Sequence, residues 1–383
     1  MNVTQRMGAA GPKKILSIDG GGIRGHIAIE ILAGIEETLR QRLAPATPFV
    51  LADYFDLIAG TSTGAILAAA LSMGMSTADI RSLYDNHGKA MFSPNPWFKR
   101  FTAKYSSRKL SARLQEVFGR DTTLGGDRLK TLLLVVTRNA NTDSPWPLTN
   151  NPRALFNARS NPDGTPNDMC NLDIPLWKLV RASTAAPTFF DPETLTLGGK
   201  TFSFVDGGIT PYNNPAFLAF LTATHPAYRI GWPTGADRLF LVSVGTGSRL
   251  CAKETKRLDR ASLLDHAREI PQALLQAINI QQDTLCRMFG RCISGGPIDM
   301  ELGDLHEDGG PPPGWPRLFT YCRFDIALTQ DTLAAIGLGD IDEKNVSRLD
   351  SIQFVADLKR IGARVRDLHI RENMFSGFPP TAA

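Results

Sequence analysis

Short apolar runs alternate with segments that have a four-residue apolar period, up to about residue 248. Ile15–Ile18 is an apolar run that ends at a glycine-rich turn, so it predicts a short buried strand. From about Ile27 to Arg42, apolar residues recur every four positions, which predicts a helix with one apolar face. Strands that alternate with helices in this way indicate an α/β fold.

The same alternation is found in the segments that follow. Further strands are predicted at Tyr54–Ala59, Leu129–Thr137, Thr201–Val205 and Arg238–Gly245. Further helices are predicted at Ala65–Leu71, Thr77–Lys89, Lys109–Phe118 and Trp177–Ser183. The apolar character of the last strand is expected of a sheet that is covered on both faces. We therefore predict that residues 13–248 form a core with a three-layer α/β/α sandwich and a mostly parallel central sheet.

The pattern changes in the remainder of the chain, residues 249–383. Residues 251–290 are predicted to be mainly helical, 309–314 to form a loop, and Asp350–Arg371 to form a final amphipathic helix. The sequence contains no internal repeat and no clear linker. We predict a mainly helical C-terminal extension that packs on the core.

Composition and charge narrow the class of protein. The chain has 383 residues, of which 43% are hydrophobic and 21% charged, so a folded core is expected rather than disorder. A net charge of +4 is too small to indicate nucleic-acid binding, but it favours an anionic membrane surface. Residues 1–14 lack the apolar segment of a signal peptide, and the longest apolar stretch, 65–75, is too short to cross a bilayer. We therefore expect a cytoplasmic protein.

The cysteines predict neither disulfides nor a metal site. There are five of them, an odd number, and their spacings match no zinc-binding pattern. They are Cys170, Cys251, Cys286, Cys292 and Cys322. Free thiols in a reducing compartment are the expected state.

The segment Gly60-Thr61-Ser62-Thr63-Gly64 carries the first candidate catalytic residue. It lies between a predicted strand and a predicted helix, which is the context of a nucleophile elbow. The glycines at 60 and 64 would let the backbone turn sharply and let a substrate approach Ser62. A five-residue pattern of this kind also occurs by chance, so the interpretation depends on finding partner residues.

Asp206 is the candidate partner. It ends the predicted strand at 201–205, and Gly207 and Gly208 follow it and would keep the turn open. A serine hydroxyl needs a base, and none of the six histidines lies in a recognisable catalytic motif. A partly desolvated carboxylate at the end of a neighbouring strand would accept the serine proton directly.

A glycine-rich segment near the N-terminus supplies the third element. Gly20, Gly21, Gly22 and Gly25 follow a strand and open a helix, so their N–H groups would face a shared anion site. For an ester substrate that site would be an oxyanion hole. Arg24 would support the anion or a lipid phosphate, or it would brace the loop by hydrogen bonds; the sequence favours neither.

Two rival classes of enzyme share parts of these motifs. The same segment fits the dinucleotide-binding pattern, which calls for an acidic residue about 20 positions later; the corresponding residues, 39–43, are basic and helical. An ordinary α/β-hydrolase places several strands before its elbow and a histidine after its aspartate. Here one strand precedes the elbow, and replacing any histidine by alanine should leave activity intact if serine and aspartate suffice.

The order Asp-Gly-Gly-Gly-x-Arg-Gly, Gly-Thr-Ser-Thr-Gly and Asp-Gly-Gly resembles the patatin-like phospholipase family, and the match covers roughly residues 13–250. The segments 182–187 and 213–215 also look like segments of that family. The resemblance implies a metal-independent Ser–Asp lipid acyl hydrolase that releases fatty acids from glycerophospholipids at a membrane. It places the nucleophile at Ser62, the base at Asp206 and the oxyanion loop at residues 20–25. A constitutive hydrolase and a non-catalytic lipid or nucleotide sensor remain as alternatives.

The extension suggests a regulated member of the family. Residues 282–290 and 295–299 look similar to stand-alone bacterial members, some of which are CBASS antiphage effectors switched on by a cyclic dinucleotide. Arg287 and Arg291 are four positions apart and would meet phosphates from one helix face, or would merely solvate that face. The resemblance thus implies a cyclic dinucleotide as activator, action at the inner face of the cell membrane, and assembly into oligomers on activation.

Residues 86–115 form a basic and aromatic segment without an acidic side chain. Its centre, Trp97, Phe98, Lys99 and Arg100, has the composition of a membrane-contacting loop. Packing of the rings into the core is the alternative. Similar compositions occur in nucleic-acid grooves, but nothing else in the chain supports one.

Overall fold

The computed structural model describes residues 1–91, 106–187, 189–248, 263–306 and 314–381, with side chains described for all of these except 87–91 and 263–272. Within these ranges nine strands form a single sheet. The strands are β1 (Lys13–Ile18), β2 (Leu57–Thr61), β3 (Leu132–Asn139), β4 (Ser144–Thr149), β5 (Glu193–Leu197), β6 (Lys200–Asp206), β7 (Leu239–Val244), β8 (Arg291–Ser294) and β9 (Thr320–Phe324).

Helices precede or follow most of the strands. In the described ranges they are α1 (Val3–Gly8), α2 (Gly25–Leu43), α3 (Leu51–Tyr54), α4 (Thr63–Ser72), α5 (Thr77–Met91), α6 (Ser107–Phe118), α7 (Leu176–Ser183), α8 (Ala216–Thr224), α9 (Leu263–Phe289), α10 (Gln330–Ala335), α11 (Glu343–Val346) and α12 (Val355–His369). Short 3-10 helices lie at Gly22–Arg24, Leu155–Asn157, Asn171–Asp173, Gly207–Ile209, Pro226–Tyr228, Ile352–Phe354 and Glu372–Phe375.

The central sheet is mostly parallel, as predicted. Its strand order is β5-β6-β3-β2-β1-β7-β9-β8, and β4 pairs with β3 off this path. The strands from β3 through β2, β1, β7 and β9 to β8 run parallel, whereas β4 and β6 are antiparallel to β3, and β5 is antiparallel to β6. Helices cover both faces, so the predicted α/β/α sandwich is confirmed.

Alternate residues of the inner strands enter two separate cores. Ile15 and Leu57 pack with α8 on one face of the sheet. Leu16 and Ile58 pack with α2 and α4 on the other face. Because both faces are buried, the strands contain nearly continuous apolar runs, which explains why the sequence signal for them is strong.

One predicted strand began too early in the chain. Tyr54 belongs to helix α3, and β2 starts at Leu57. The reason is Asp56, which is fully buried and accepts the Lys14 N–H at 2.9 Å. Its carboxylate also pairs with the Lys14 ammonium at 3.3 Å. The apolar residues before Asp56 therefore pack as a helical turn, and strand β2 begins directly after Asp56.

The C-terminal extension contributes two strands that the sequence did not predict. β9 pairs with β7 of the core, and β8 pairs with β9, both in parallel. In the described residues after 248, the helices α9 to α12 still contain more residues than these two strands. Short strands that contain Arg291 and Arg323 lack the apolar run expected of a buried strand, and a charge in the sheet is stable only with a long-range partner. The division of the chain at residue 248 stays a prediction.

Candidate functional site

The register of β3 brings the two predicted catalytic residues together. β2 runs parallel to β3 and ends with Thr61 opposite Val136, and β6 runs antiparallel and ends with Asp206 opposite Thr137. Because β4 occupies the other edge of β3 along residues 134–139, β2 and β6 must share one edge. The two strands therefore meet end to end, and Ser62 follows Thr61 directly at that junction.

Ser62 has a strained backbone and a close hydrogen bond to Asp206. Its φ of 55° and ψ of −123° lie where a non-glycine residue is rarely found. Its Oγ donates to Asp206 Oδ2 at 2.6 Å, across 144 positions of sequence. Its N–H donates to Ser183 Oγ at 2.9 Å, and Ser183 Oγ in turn donates to the Val136 carbonyl at 2.6 Å. A strained residue fixed from both sides is typical of a functional site.

The glycines on either side of Ser62 are required by close backbone contacts. A Cβ at Gly60 would collide with the carbonyl of Gly64. A Cβ at Gly64 would collide with the carbonyls of Ile18 and Asp19 at the end of β1. The turn from β2 into α4 is therefore as tight as a nucleophile elbow requires.

Asp206 is a buried carboxylate that can act as a base near neutral pH. Only 5% of the residue is exposed, and burial raises its pKa from 3.8 to about 6. Hydrogen bonds from Ser62 and from the Gly208 N–H, and the charge of Arg181, act in the opposite direction and limit the rise in pKa. The Gly208 N–H donates to Oδ1 at 2.6 Å, which leaves Oδ2 for Ser62.

The glycine-rich loop lies against Ser62, but only part of it has free N–H groups. A Cβ at Gly20 would be 3.2 Å from the Ser62 Cβ. Two of the four predicted donors already have acceptors: the Gly20 N–H donates to the Asn213 carbonyl, and the Gly25 N–H donates to the carbonyls of Gly22 and Ile23. The Arg24 N–H is also occupied, by the Gly21 carbonyl. In the described part of the chain, the N–H groups of Gly21 and Gly22 donate to no atom. The loop thus offers two backbone donors rather than four.

The Arg24 side chain contacts the C-terminal extension. Its Nη1 donates to the Ser347 carbonyl at 3.4 Å. Of the two roles that the sequence left open, this contact supports bracing of the loop.

Arg287 and Arg291 do not share a helix face, which corrects that prediction. Helix α9 ends at Phe289, and Arg291 begins β8. Arg287 is only 2% exposed, and its guanidinium binds both carboxylate oxygens of Asp283, at 3.1 and 2.8 Å. Its Nη1 also donates to the carbonyls of Gly296 and Asp304. These contacts occupy Arg287 within the fold, so it does not present a free cation to a ligand.

The histidine nearest to the glycine-rich loop in sequence, His26, does not contact the Ser62–Asp206 pair. It is buried, and its ring meets the edge of the Tyr84 ring at 5.5 Å. Burial lowers its pKa to about 4, so the ring is neutral. Neither ring nitrogen has a hydrogen-bond partner in the described ranges. An imidazole in this position cannot accept the Ser62 proton.

Several predicted residues cannot be placed. Trp97, Phe98, Lys99 and Arg100, proposed to contact a membrane, lie outside the described residues, as does Cys251. The four other cysteines are buried free thiols. Within the described ranges, no helix is long and apolar enough to span a bilayer, and no cluster of three or more candidate ligands could hold a metal ion.

The structure adds site residues that sequence reasoning did not single out. Ser183 holds the Ser62 backbone, Asn213 accepts from the Gly20 N–H, and Thr246 donates to the Gly20 carbonyl at 3.0 Å. Ser183 and Asn213 belong to the segments 182–187 and 213–215, whose family resemblance was the available signal. Thr246 carried no such signal, because its role depends on a contact with a residue 226 positions away.

The site thus consists of a serine on a strained strand-to-helix turn, a buried aspartate that accepts its hydrogen bond, and a glycine-rich loop beside them. These features place the protein in the class of α/β proteins with a Ser–Asp site. The family model described as "Patatin-like phospholipase" matches residues 16–220, more than half of the 383-residue chain. The chain therefore belongs to the patatin-like phospholipase family.

The chain is similar to relatives whose names state different activities. Patatin-17 of Solanum cardiophyllum is 32% identical over 251 residues, which cover 61% of this chain and 60% of that protein. The cGAMP-activated phospholipase of Escherichia coli (strain TW11681) is 32% identical over 214 residues, covering 54% of this chain and 55% of that protein. Probable inactive patatin-3-Kuras 1 of Solanum tuberosum is 32% identical, covering 61% and 62%. The chain thus spans about 60% of the length of the curated relatives it matches.

Proposed function

We propose that this protein hydrolyses fatty acyl esters of membrane glycerophospholipids, with Ser62 as nucleophile and Asp206 as general base. The observation that carries the proposal is the 2.6 Å hydrogen bond from Ser62 Oγ to Asp206 Oδ2. Family membership supports the substrate class. It does not by itself establish turnover, because relatives named as probable inactive match equally well.

The proposed reaction has two halves, and Asp206 transfers the proton in both. In the first half Asp206 takes the Ser62 hydroxyl proton, and Oγ attacks the ester carbonyl carbon. The tetrahedral intermediate then expels the lysophospholipid alkoxide, which receives the proton from Asp206. In the second half Asp206 deprotonates water, the hydroxide attacks the acyl-serine, and the proton returns to Ser62 Oγ as the fatty acid leaves.

The glycine-rich loop would stabilise the negative oxygen of both intermediates. The N–H groups of Gly21 and Gly22 have no acceptor in the described part of the chain, and the loop lies against Ser62. In a site closed to water, each such donor contributes about 2.7–4 kcal/mol in the transition state. Backbone N–H groups fixed by the fold need no reorganisation when the charge develops.

The ionisation of Asp206 should set the acid limb of the pH profile. Because only the carboxylate accepts a proton, kcat/KM should fall as the pH drops through about 6, the raised pKa of this residue. Below that pH the decline should approach about tenfold per pH unit. The measurement is hydrolysis of a soluble short-chain ester across this range, with thermal unfolding at each pH as control. Unchanged kcat/KM well below pH 6 in a folded protein would contradict the assignment of the base.

The direct test is fatty-acid release from phospholipid liposomes by the purified protein, with Ser62→Ala as control. We expect release that requires Ser62. Labelling of wild-type protein by a fluorophosphonate, without release from any liposome, would point to a different ester as substrate. Absence of both labelling and release, with and without each cyclic dinucleotide, would favour the non-catalytic sensor.

We further propose that a cyclic dinucleotide controls this activity. The support is the similarity to a relative named as a cGAMP-activated phospholipase. The contacts of Arg287 give no support, because its guanidinium is occupied by Asp283 and by backbone carbonyls. An activator would therefore bind through other groups.

Control by a nucleotide should appear as a conditional release of fatty acid. In the liposome assay, a panel of cyclic dinucleotides is added one at a time, and release should rise at least about tenfold with one of them, the effect of a coupling free energy of about 1.4 kcal/mol or more. Ser62→Ala with the same nucleotide is the matched control. Equal release with and without every nucleotide would leave a constitutive hydrolase and remove the proposed control.

A further inference from the structure

The orientation of the peptide between Gly20 and Gly21 decides whether the loop can bind an oxyanion. The carbonyl of Gly20 accepts from Thr246 Oγ1 at 3.0 Å and from Asn213 Nδ2 at 3.4 Å. The peptide bond between Gly20 and Gly21 is trans, so the Gly21 N–H points in the direction opposite to the Gly20 carbonyl. Donors on the carbonyl side therefore direct the Gly21 N–H to the opposite side.

A peptide between two glycines has little to hold it in one orientation. Neither residue has a Cβ, so rotation of the whole peptide plane meets few steric barriers. A rotated peptide would present its carbonyl where the N–H had been, and a carbonyl oxygen repels a developing negative charge. The loop sequence alone therefore does not fix a working oxyanion hole, and hydrogen bonds from outside the loop are needed.

Thr246 is placed to provide that bond. It is only 3% exposed and lies in the turn after β7, directly against Gly21, where any Cβ would collide with its side chain. The next residue, Gly247, donates its N–H to Asp325 Oδ1 at 2.9 Å. The turn that carries the threonine is thus tied to the residues that follow β9.

One buried arginine joins this turn to the start of the glycine-rich loop. Arg323 Nη2 contacts Asp325 Oδ2 at 2.8 Å and Asp19 Oδ2 at 2.7 Å. Asp19 directly precedes Gly20, and Asp325 holds the turn that contains Thr246. The donor hydroxyl and the peptide it binds are therefore fixed to the same ion-pair cluster, so their separation is set by the fold.

Asn213 gives a second, longer hydrogen bond to the same carbonyl. Its Nδ2 is shared with Asn279 Oδ1 of helix α9, at 3.1 Å. The 3.4 Å contact to the Gly20 carbonyl is weaker than the 3.0 Å contact from Thr246. Loss of the threonine hydroxyl should therefore weaken the orientation of the peptide without abolishing it.

We infer that Thr246 is a positioning residue of the proposed hydrolase: its hydroxyl fixes the Gly20–Gly21 peptide with the Gly21 N–H directed at the oxyanion. The inference rests on the proposed function, because an oxyanion forms only if Ser62 attacks an ester. It assigns a role in the reaction to a residue other than Ser62, Asp206 and the glycine-rich loop.

The test compares Thr246→Val with Thr246→Ser on a soluble substrate, p-nitrophenyl butyrate. Valine keeps the shape and removes the hydroxyl, and serine keeps the hydroxyl and removes the methyl group. Loss of a whole oxyanion donor lowers kcat by about 10²–10³-fold, so partial misorientation should lower it by about 10–100-fold in Thr246→Val. KM should stay within about threefold, and Thr246→Ser should recover most of kcat, because the hydroxyl acts on the transition state only.

Thr131→Val is the matched structural control. Thr131 is fully buried, and its hydroxyl donates to the Ser72 hydroxyl at 2.9 Å and to the Leu132 carbonyl at 3.0 Å. It precedes β3 and so lies at the opposite end of the sheet from Ser62. The Thr131→Val variant should lose thermal stability, as Thr246→Val does, but its kcat should stay at the wild-type value.

Each outcome of the comparison is decisive. A low kcat in Thr246→Val alone, with recovery by serine, supports the inference. A kcat near wild type in Thr246→Val, or equal losses in the valine and serine variants, would overturn it while Ser62-dependent hydrolysis still upheld the proposed function. A wild-type protein without Ser62-dependent hydrolysis, both alone and with each cyclic dinucleotide, would overturn both.

Discussion

Replacing Asp206 by asparagine should lower ester hydrolysis by about 10⁴-fold, and Ser62→Ala should lower it at least as much. Asparagine has nearly the same shape, but its single oxygen can accept from only one of the two donors that Asp206 binds, the Ser62 hydroxyl and the Gly208 N–H, both at 2.6 Å. It cannot take up the proton, because an amide is not a base at accessible pH. The variant therefore removes the base while the volume of the side chain stays nearly unchanged.

The experiment measures kcat/KM for both variants with a soluble ester and with liposomes, alongside thermal unfolding. Asp163→Asn is the control for the same chemical change, since Asp163 lies in an exposed loop and bonds only locally to Thr165. Fluorophosphonate labelling should be lost in Ser62→Ala and slowed in Asp206→Asn. Activity near wild type in either variant would show that Ser62 and Asp206 are not the reacting pair.

Replacing Arg323 by methionine should destabilise the fold by about 3–5 kcal/mol. The arginine is 5% exposed, and it contacts Asp19 at 2.7 Å and Asp325 at 2.8 Å. Methionine fills much of the same volume, so the main loss is the cation that compensates two nearby carboxylates. Chemical denaturation at neutral pH measures the change, and Arg323→Lys, which keeps the charge but not the bidentate geometry, should be affected less.

The destabilisation in Arg323→Met should depend on pH in a defined direction. Burial already raises the folded-state pKa of Asp19 from 3.8 to about 6, although Arg323 attracts its charge. Without the arginine that pKa rises further. An acid with a raised folded pKa costs stability once the pH exceeds its unfolded pKa, and the cost is complete above its folded pKa. The difference between variant and wild type should thus be largest above neutral pH and should shrink on acidification. A difference that is constant with pH would show that the ion pair is not its source.

The local pattern of apolar residues was sufficient to predict most of the strands and helices. Lys13–Ile18, Leu132–Asn139 and Leu239–Val244 are strands close to where apolar runs predicted them. Helix α2 and helix α12 follow their apolar periods closely, the latter as Val355–His369 within the predicted 350–371. These elements could be predicted because both faces of the sheet are buried, which forces apolar residues into each strand and onto one side of each helix.

Prediction failed where an element depends on a distant partner. β9 contains Arg323, whose charge is compensated by two carboxylates. Asp325 follows it closely in sequence, but Asp19 precedes it by 304 positions. Arg287 and Arg291 were placed on one helix because their spacing fits a helix, but the chain passes from α9 into β8 between them. Neither the compensation of a charge nor the end of a helix against a neighbouring strand is encoded in short-range pattern.

The sequence by itself specified the local elements of the proposed site. A serine between two glycines at a strand-to-helix junction, an aspartate before two glycines and a glycine-rich turn are each specified by local residue types, because tight turns tolerate few alternatives. What only the tertiary structure decided is how these parts face one another. The pairing of β2 and β6 on one edge of β3 places Ser62 Oγ 2.6 Å from Asp206, and Thr246 and Arg323 orient the loop beside them. The side-chain contacts among these residues join positions more than a hundred apart, so they depend on register and burial that no local pattern contains.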